Sequence, residues 1–141
     1  MRVDFYQLSR DPPEAVVAGL AEQTLKAGER LLVVTADAEQ AGRLSQTLWT
    51  QRAESFLAHG VDGAGDEVRQ PILVADRAEA ANGARFVVFA DGVWRDAAGF
   101  ERAFLLFGEA TIAAARAQWK ALDAGERHFW RQEGGRWIEI G

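Results

Sequence analysis

Leu31, Leu32, Val33 and Val34 form an unbroken apolar run with a segment of helical period on either side. A strand that shows one face to water alternates apolar and polar residues, whereas a run without polar positions has to be covered on both faces. Parallel strands meet that demand, because their crossover connections lay helices across the sheet. The flanking segments read as such helices. Asp11, Pro12, Pro13 and Glu14 carry helix-start chemistry, with Asp11 as cap, Pro12 at the first helical position and Glu14 placed as in a capping box. Val17, Leu20, Ala21 and Leu25 follow on one face, and Gly28 stands where a left-handed terminator is expected. After the apolar run, Asp37 caps a second helix, with Gln40 three residues on and Ala41, Leu44 and Leu48 turned inward. Residues 3–8 supply a strand before the first helix.

The rest of the chain continues the pattern. Residues 60–66 read as a glycine-rich loop, and 72–75 and 85–90 as strands. Phe100, Ala103, Phe104 and Phe107 recur at helical spacing and predict a helix closed by Gly108. Residues 111–122 predict another helix, with Ile112, Ala115, Trp119 and Leu122 inward. The tail HFWRQEGGRWIEI reads as two short strands about Gly134 and Gly135. The expected architecture is a single α/β domain over residues 1–141, with a mostly parallel central sheet and flanking helices.

Composition narrows the function. A chain of 141 residues suffices for one buried core. No apolar run is long enough to span a membrane, and the N-terminus lacks a signal-peptide pattern. The absence of cysteine excludes disulfides and thiolate metal sites and fits a cytoplasmic protein. A formal net charge of −5 opposes direct binding of nucleic acid. The 60–66 loop lacks the Gly-Lys-Ser/Thr ending of a phosphate loop, so no cofactor is expected.

Several groups of residues compete as functional sites. In LWTQRAESFLAHG, Trp49 and Phe56 flank a polar stretch holding Glu54 and Ser55 and ending near His59. Large aromatics in a connection either plug a core edge or anchor a partner. Farther on, Arg116 and Lys120 are four residues apart on one predicted helix face, with Trp119 beside them and Arg127 and Arg131 close behind. Cations around an apolar patch suit an acidic peptide that ends in an aromatic residue, although a solvated helix face with a core Trp has the same signature. Asp37, Asp76 and Asp91 each follow a predicted strand, where α/β enzymes place metal-binding carboxylates; a Mg²⁺-dependent phosphoryl-transfer enzyme is the alternative they raise, against helix caps and turns. His59 and His128 have no second ligand at metal spacing and read as surface or packing residues.

The N-terminal DFYQL strand, RLLVVTAD, the helix ending in LW, RAESFLAHG and the later ARAQWKAL resemble the chi subunit of the bacterial DNA polymerase III holoenzyme. The resemblance implies a Rossmann-like α/β fold without a nucleotide fingerprint and a non-catalytic accessory role. It implies binding of the acidic C-terminal tail of single-stranded DNA-binding protein. Arg116 matches the family's Arg, Trp119 stands in for its aromatic, and Lys120 falls at a basic position. Leu105, Arg127 and Arg131 are further expected contributors. Ile112 stands where some members have a Lys. Trp49 and Phe56 match aromatics that meet the psi subunit, another clamp-loader component, or a helicase that competes for that surface.

Overall fold

The computed structural model describes residues 1–50, 57–123 and 125–140. Within them lie strands β1 (Arg2–Gln7), β2 (Leu31–Val34), β3 (Gly60–Val61), β4 (Ile72–Ala75), β5 (Phe86–Phe89), β6 (Arg102–Phe107), β7 (Glu126–Glu133) and β8 (Arg136–Glu139). Helices α1 (Pro13–Lys26), α2 (Ala38–Thr50) and α3 (Ile112–Ala121) connect them, with short 3-10 turns at Glu67–Arg69 and Glu109–Thr111. The strands form one eight-stranded sheet in the order β3-β4-β2-β5-β6-β1-β7-β8. Every pairing is parallel except β7 with β8. The α/β architecture is as the apolar run requires, but β1 lies between β6 and β7, unlike the 3-2-1-4-5-6 order of dinucleotide-binding sheets.

Both faces of the sheet are covered. On one, Val17, Ala18 and Ala21 of α1 and Leu44 and Leu48 of α2 pack on Leu31, Val33, Ile72, Val74, Val88, Phe104 and Leu106. On the other, α3 and the connections bearing Trp94 and Phe100 pack on Phe5, Leu32, Val34, Val87, Phe89, Leu105 and Phe107. The central strands β2 and β4 are buried at every position, as a two-sided sheet demands.

Several local expectations change. Most of the segment expected as a helix from Phe100 to Phe107 is strand β6, which begins at Arg102. Its run Ala103-Phe104-Leu105-Leu106-Phe107 is buried throughout, so positions that fit a helical period are simply part of an apolar strand. Gly108 is extended there (φ −126°) rather than a left-handed helix end. Asp11 does not cap α1. The cap is Pro12, without a side-chain hydrogen bond, and the Asp11 carboxylate instead accepts from Gln132 Nε2 at 2.8 Å. Glu14 pairs with Arg43 at 3.0 Å instead of closing a capping box. Gly60 and Val61 leave the expected loop to pair with β4 as the edge strand β3. The left-handed Gly28 (φ 77°) is as expected, and so is the Asp37 cap, whose Oδ1 accepts from the Gln40 backbone N–H at 2.8 Å. Gly134 and Gly135, both at positive φ, turn β7 back into β8.

One buried carboxylate joins three strands. Asp4 of β1 is fully buried. It accepts from Arg2 Nε and Nη2 at 3.1 Å, Arg102 Nε of β6 at 3.0 Å and Trp130 Nε1 of β7 at 3.1 Å. Removing a satisfied buried charge strands its partners. Asp4→Ala is therefore expected to lower stability by about 2–3 kcal/mol in urea denaturation, softened because both arginines reach solvent. A change in midpoint too small to resolve would contradict this role.

Candidate peptide-docking site

Helix α3 is short, and rings hold it to the sheet. Trp119 stands edge-on to Phe5 (ring centroids 5.4 Å) and to Phe129 (5.3 Å, planes at 89°). Such pairs add about 0.5–1.5 kcal/mol each beyond the area they bury. Ala115 is buried, and Ile112 and Leu122 are partly so, which directs this face of the helix inward. Ile112, which by the resemblance stands where some members have a Lys, packs against the core.

With that face inward, Arg116 and Lys120 stand exposed, and neither has an ion pair or hydrogen bond among the described residues. Beside Arg116 opens a hollow of about 210 Å³, lined also by Gln7, Trp119, Phe129, Arg131 and Ile140. That is room for a side chain rather than a drug-sized molecule, which takes roughly 300–1,000 Å³. The walls come from distant parts of the chain: Gln7 ends β1, Phe129 and Arg131 lie on β7, and Ile140 follows β8. Parallel pairing of β1 with β7 sets Gln7 level with Arg131.

The other expected contributors divide. Arg127 is exposed but engaged: its Nη1 donates to the Trp119 carbonyl at 2.7 Å, and its guanidinium lies 4.6 Å from the Trp119 ring. It thus satisfies a carbonyl of the helix end and stacks on the indole, acting as a support for Trp119. Arg131 pairs with Glu133 (Nη2 to Oε1, 2.6 Å) while lining the hollow. Leu105 is fully buried in β6 and does not line the hollow, because the middle of a central strand faces the core on both sides. Gln7, Phe129 and Ile140 escaped the sequence reading, since only strand pairing between remote segments brings them to α3.

The second surface is partly in view. Trp49, in the last turn of α2, is 47% exposed, with its ring 4.7 Å from that of His59. His59 is fixed by Ser45 Oγ at 2.7 Å and the Leu57 carbonyl at 2.9 Å, a packing role. Glu54, Ser55 and Phe56 lie outside the described residues.

The carboxylates do not assemble. Asp37 is occupied as a helix cap, and Asp91 is held by Arg95 at 2.7 and 2.9 Å. Both line a hollow of about 820 Å³ at the carboxyl ends of the strands; Asp37 also lines a second hollow with Asp76, which Asp91 does not line. Among the described residues, no group of three His, Cys, Asp or Glu side chains is arranged to hold a metal. Nor is any described helix long and apolar enough to cross a membrane.

Comparison with known proteins settles the family. Residues 1–128 match the family described as DNA polymerase III chi subunit, HolC. The chain belongs to the chi-subunit family of DNA polymerase III. It is 33% identical over 78 residues to DNA polymerase III subunit chi of Escherichia coli (strain K12), a stretch covering 50% of this chain and 53% of that protein. The chain thus spans about half the length of the curated relative it matches.

His128 gives the far edge of the sheet a titratable clasp. Its Nε2 meets Glu126 at 2.6 Å and its Nδ1 meets Glu139 of β8 at 2.5 Å. Hydrogen bonding to Glu126, then to Glu139, raises its pKa above the ordinary 6.5, and the Glu126 carboxyl is lowered by the same contact. A histidine raised on folding contributes stability that is complete below its unfolded pKa and lost as pH climbs through the folded value. The gap in urea midpoint between wild type and His128→Ala should therefore be widest below pH 6.5 and narrow as pH rises. A gap that widens with pH would show that the imidazole is not held as a cation.

Proposed function

We propose that this chain links the clamp-loader complex of the replicative polymerase to single-stranded DNA-binding protein in the cytoplasm, by capturing that protein's acidic C-terminal tail at α3. One observation carries the reading: α3 exposes two cations, Arg116 and Lys120, with no ion pair or hydrogen bond among the described residues, and a hollow walled by Trp119, Phe129 and Ile140 opens beside Arg116 on an acidic chain. The cations suit carboxylates of the tail, and the hollow between Trp119 and Phe129 suits an apolar terminal side chain. DNA is sensed through the protein that coats it, which reconciles a net charge of −5 with a role in replication.

A second contact is proposed at Trp49, for psi or another clamp-loader component, or for a helicase that competes for the same surface. The support is an exposed indole held in place by a histidine that is itself hydrogen-bonded on both ring nitrogens. An indole held in position while about half exposed resembles the anchors that dominate interfaces.

Titration of a labelled acidic tail peptide tests the first contact. Arg116→Ala should weaken binding about tenfold with the fold intact, and wild-type affinity should fall as salt rises. Unchanged affinity in Arg116→Ala would remove the residue from the site. For the second contact, Trp49→Ala should recover less clamp-loader protein in pull-downs while binding the tail peptide normally. Equal recovery would leave Trp49 as a packing residue.

A further inference from the structure

The C-terminal hairpin continues the hollow beyond α3. β8 runs antiparallel to β7 with Ile138 opposite Arg131 and Arg136 opposite Glu133. Side chains alternate along a strand, so Arg136 and Ile138 share the face of Arg131, and Ile140, next in the alternation, lines the hollow itself. Ile138 and Ile140 are 40% and 44% exposed. Edge strands usually carry charge at such positions to discourage unwanted pairing, so two exposed isoleucines there are unexpected. Arg136 is exposed and has no ion pair or hydrogen bond among the described residues, while the neighbouring Glu133 is engaged by Arg131.

We propose that Arg136, Ile138 and Ile140 form the second half of the peptide site. The terminal side chain of the ligand fills the hollow beside Ile140, and the acidic segment before it lies extended over Ile138 and reaches Arg136. The inference rests on the tail-binding reading of α3 and adds a path to it. Its occupant is an acidic peptide end, because Arg116 and Arg136, neither with an ion pair or hydrogen bond among the described residues, stand at the two ends of the path and aliphatic surface lies between them. Arg136 and Ile140 are four strand positions apart, about 13 Å. The carboxylate that meets Arg136 therefore sits about four residues before the side chain in the hollow.

Fluorescence anisotropy separates the two ideas. The probes are a labelled synthetic peptide with an acidic segment and a C-terminal phenylalanine, and the labelled C-terminal dipeptide alone, each measured against wild type, Arg116→Ala, Arg136→Ala, Arg136→Glu and Ile138→Ser. Arg116→Ala should weaken both peptides. Arg136→Ala and Ile138→Ser should each weaken the long peptide about three- to fivefold and leave the dipeptide unchanged, with Arg136→Glu weaker still. If Arg116→Ala weakens binding but the three hairpin variants, shown by circular dichroism to be folded, match wild type on the long peptide, the second half of the site is refuted alone. If Arg116→Ala also matches wild type, the tail-binding reading falls with it.

Discussion

The edge-on seating of Trp119 between Phe5 and Phe129 is the contact on which the functional surface depends. Phe5 belongs to β1 and Phe129 to β7, so one indole ties α3 to two adjacent strands. With Trp119 in place, the helix has a single rotation about its axis. Ala115 is then buried, and Arg116 emerges at the mouth of the hollow. Arg127 reinforces the arrangement from outside by bonding the Trp119 carbonyl and covering the ring. The same residue that anchors the helix also walls the hollow, so stability and proposed recognition are not separable at this position.

The architecture was legible where local chemistry spoke for itself. Leu31–Val34 could only be a strand covered on both sides, and the Gly134–Gly135 pair could only be a tight reversal. It was illegible where two periods fit the same residues. In β6, phenylalanines at 100, 104 and 107 satisfy a helix, and the fully apolar stretch 103–107 satisfies a buried strand; position in the sheet decides, and no local feature reveals it. The Asp11 cap failed for a similar reason, because Gln132, remote in sequence, claims that carboxylate.

The candidate site was half visible. Arg116, Lys120 and Trp119 sit on one helix, and their spacing alone brings them together. Arg127 looked like a fellow cation because sequence does not tell a free guanidinium from one bonded to a helix end. Gln7, Phe129 and Ile140 join the hollow only through the β1–β7–β8 pairings, which are contacts of high sequence separation. The sheet order also separates the two proposed surfaces. The hollow lies at the β8 edge, and the Trp49 ring lies tilted against that of His59, which directly precedes β3 at the opposite edge. Eight strands at about 4.8 Å put those edges some 30 Å apart, so one chain could hold both partners without competition between them.

The central claim is that an acidic protein end lodges between α3 and the C-terminal hairpin. Chemical-shift mapping with isotope-labelled protein and unlabelled tail peptide tests it most directly. The account predicts that the largest perturbations fall on the Trp119 indole N–H, the Arg116 side chain, the Gln7 amide group and the Ile140 methyls, with Trp49 unmoved. Perturbations centred on Asp37 and Asp91 at the carboxyl ends of the strands, or on Trp49, would contradict it.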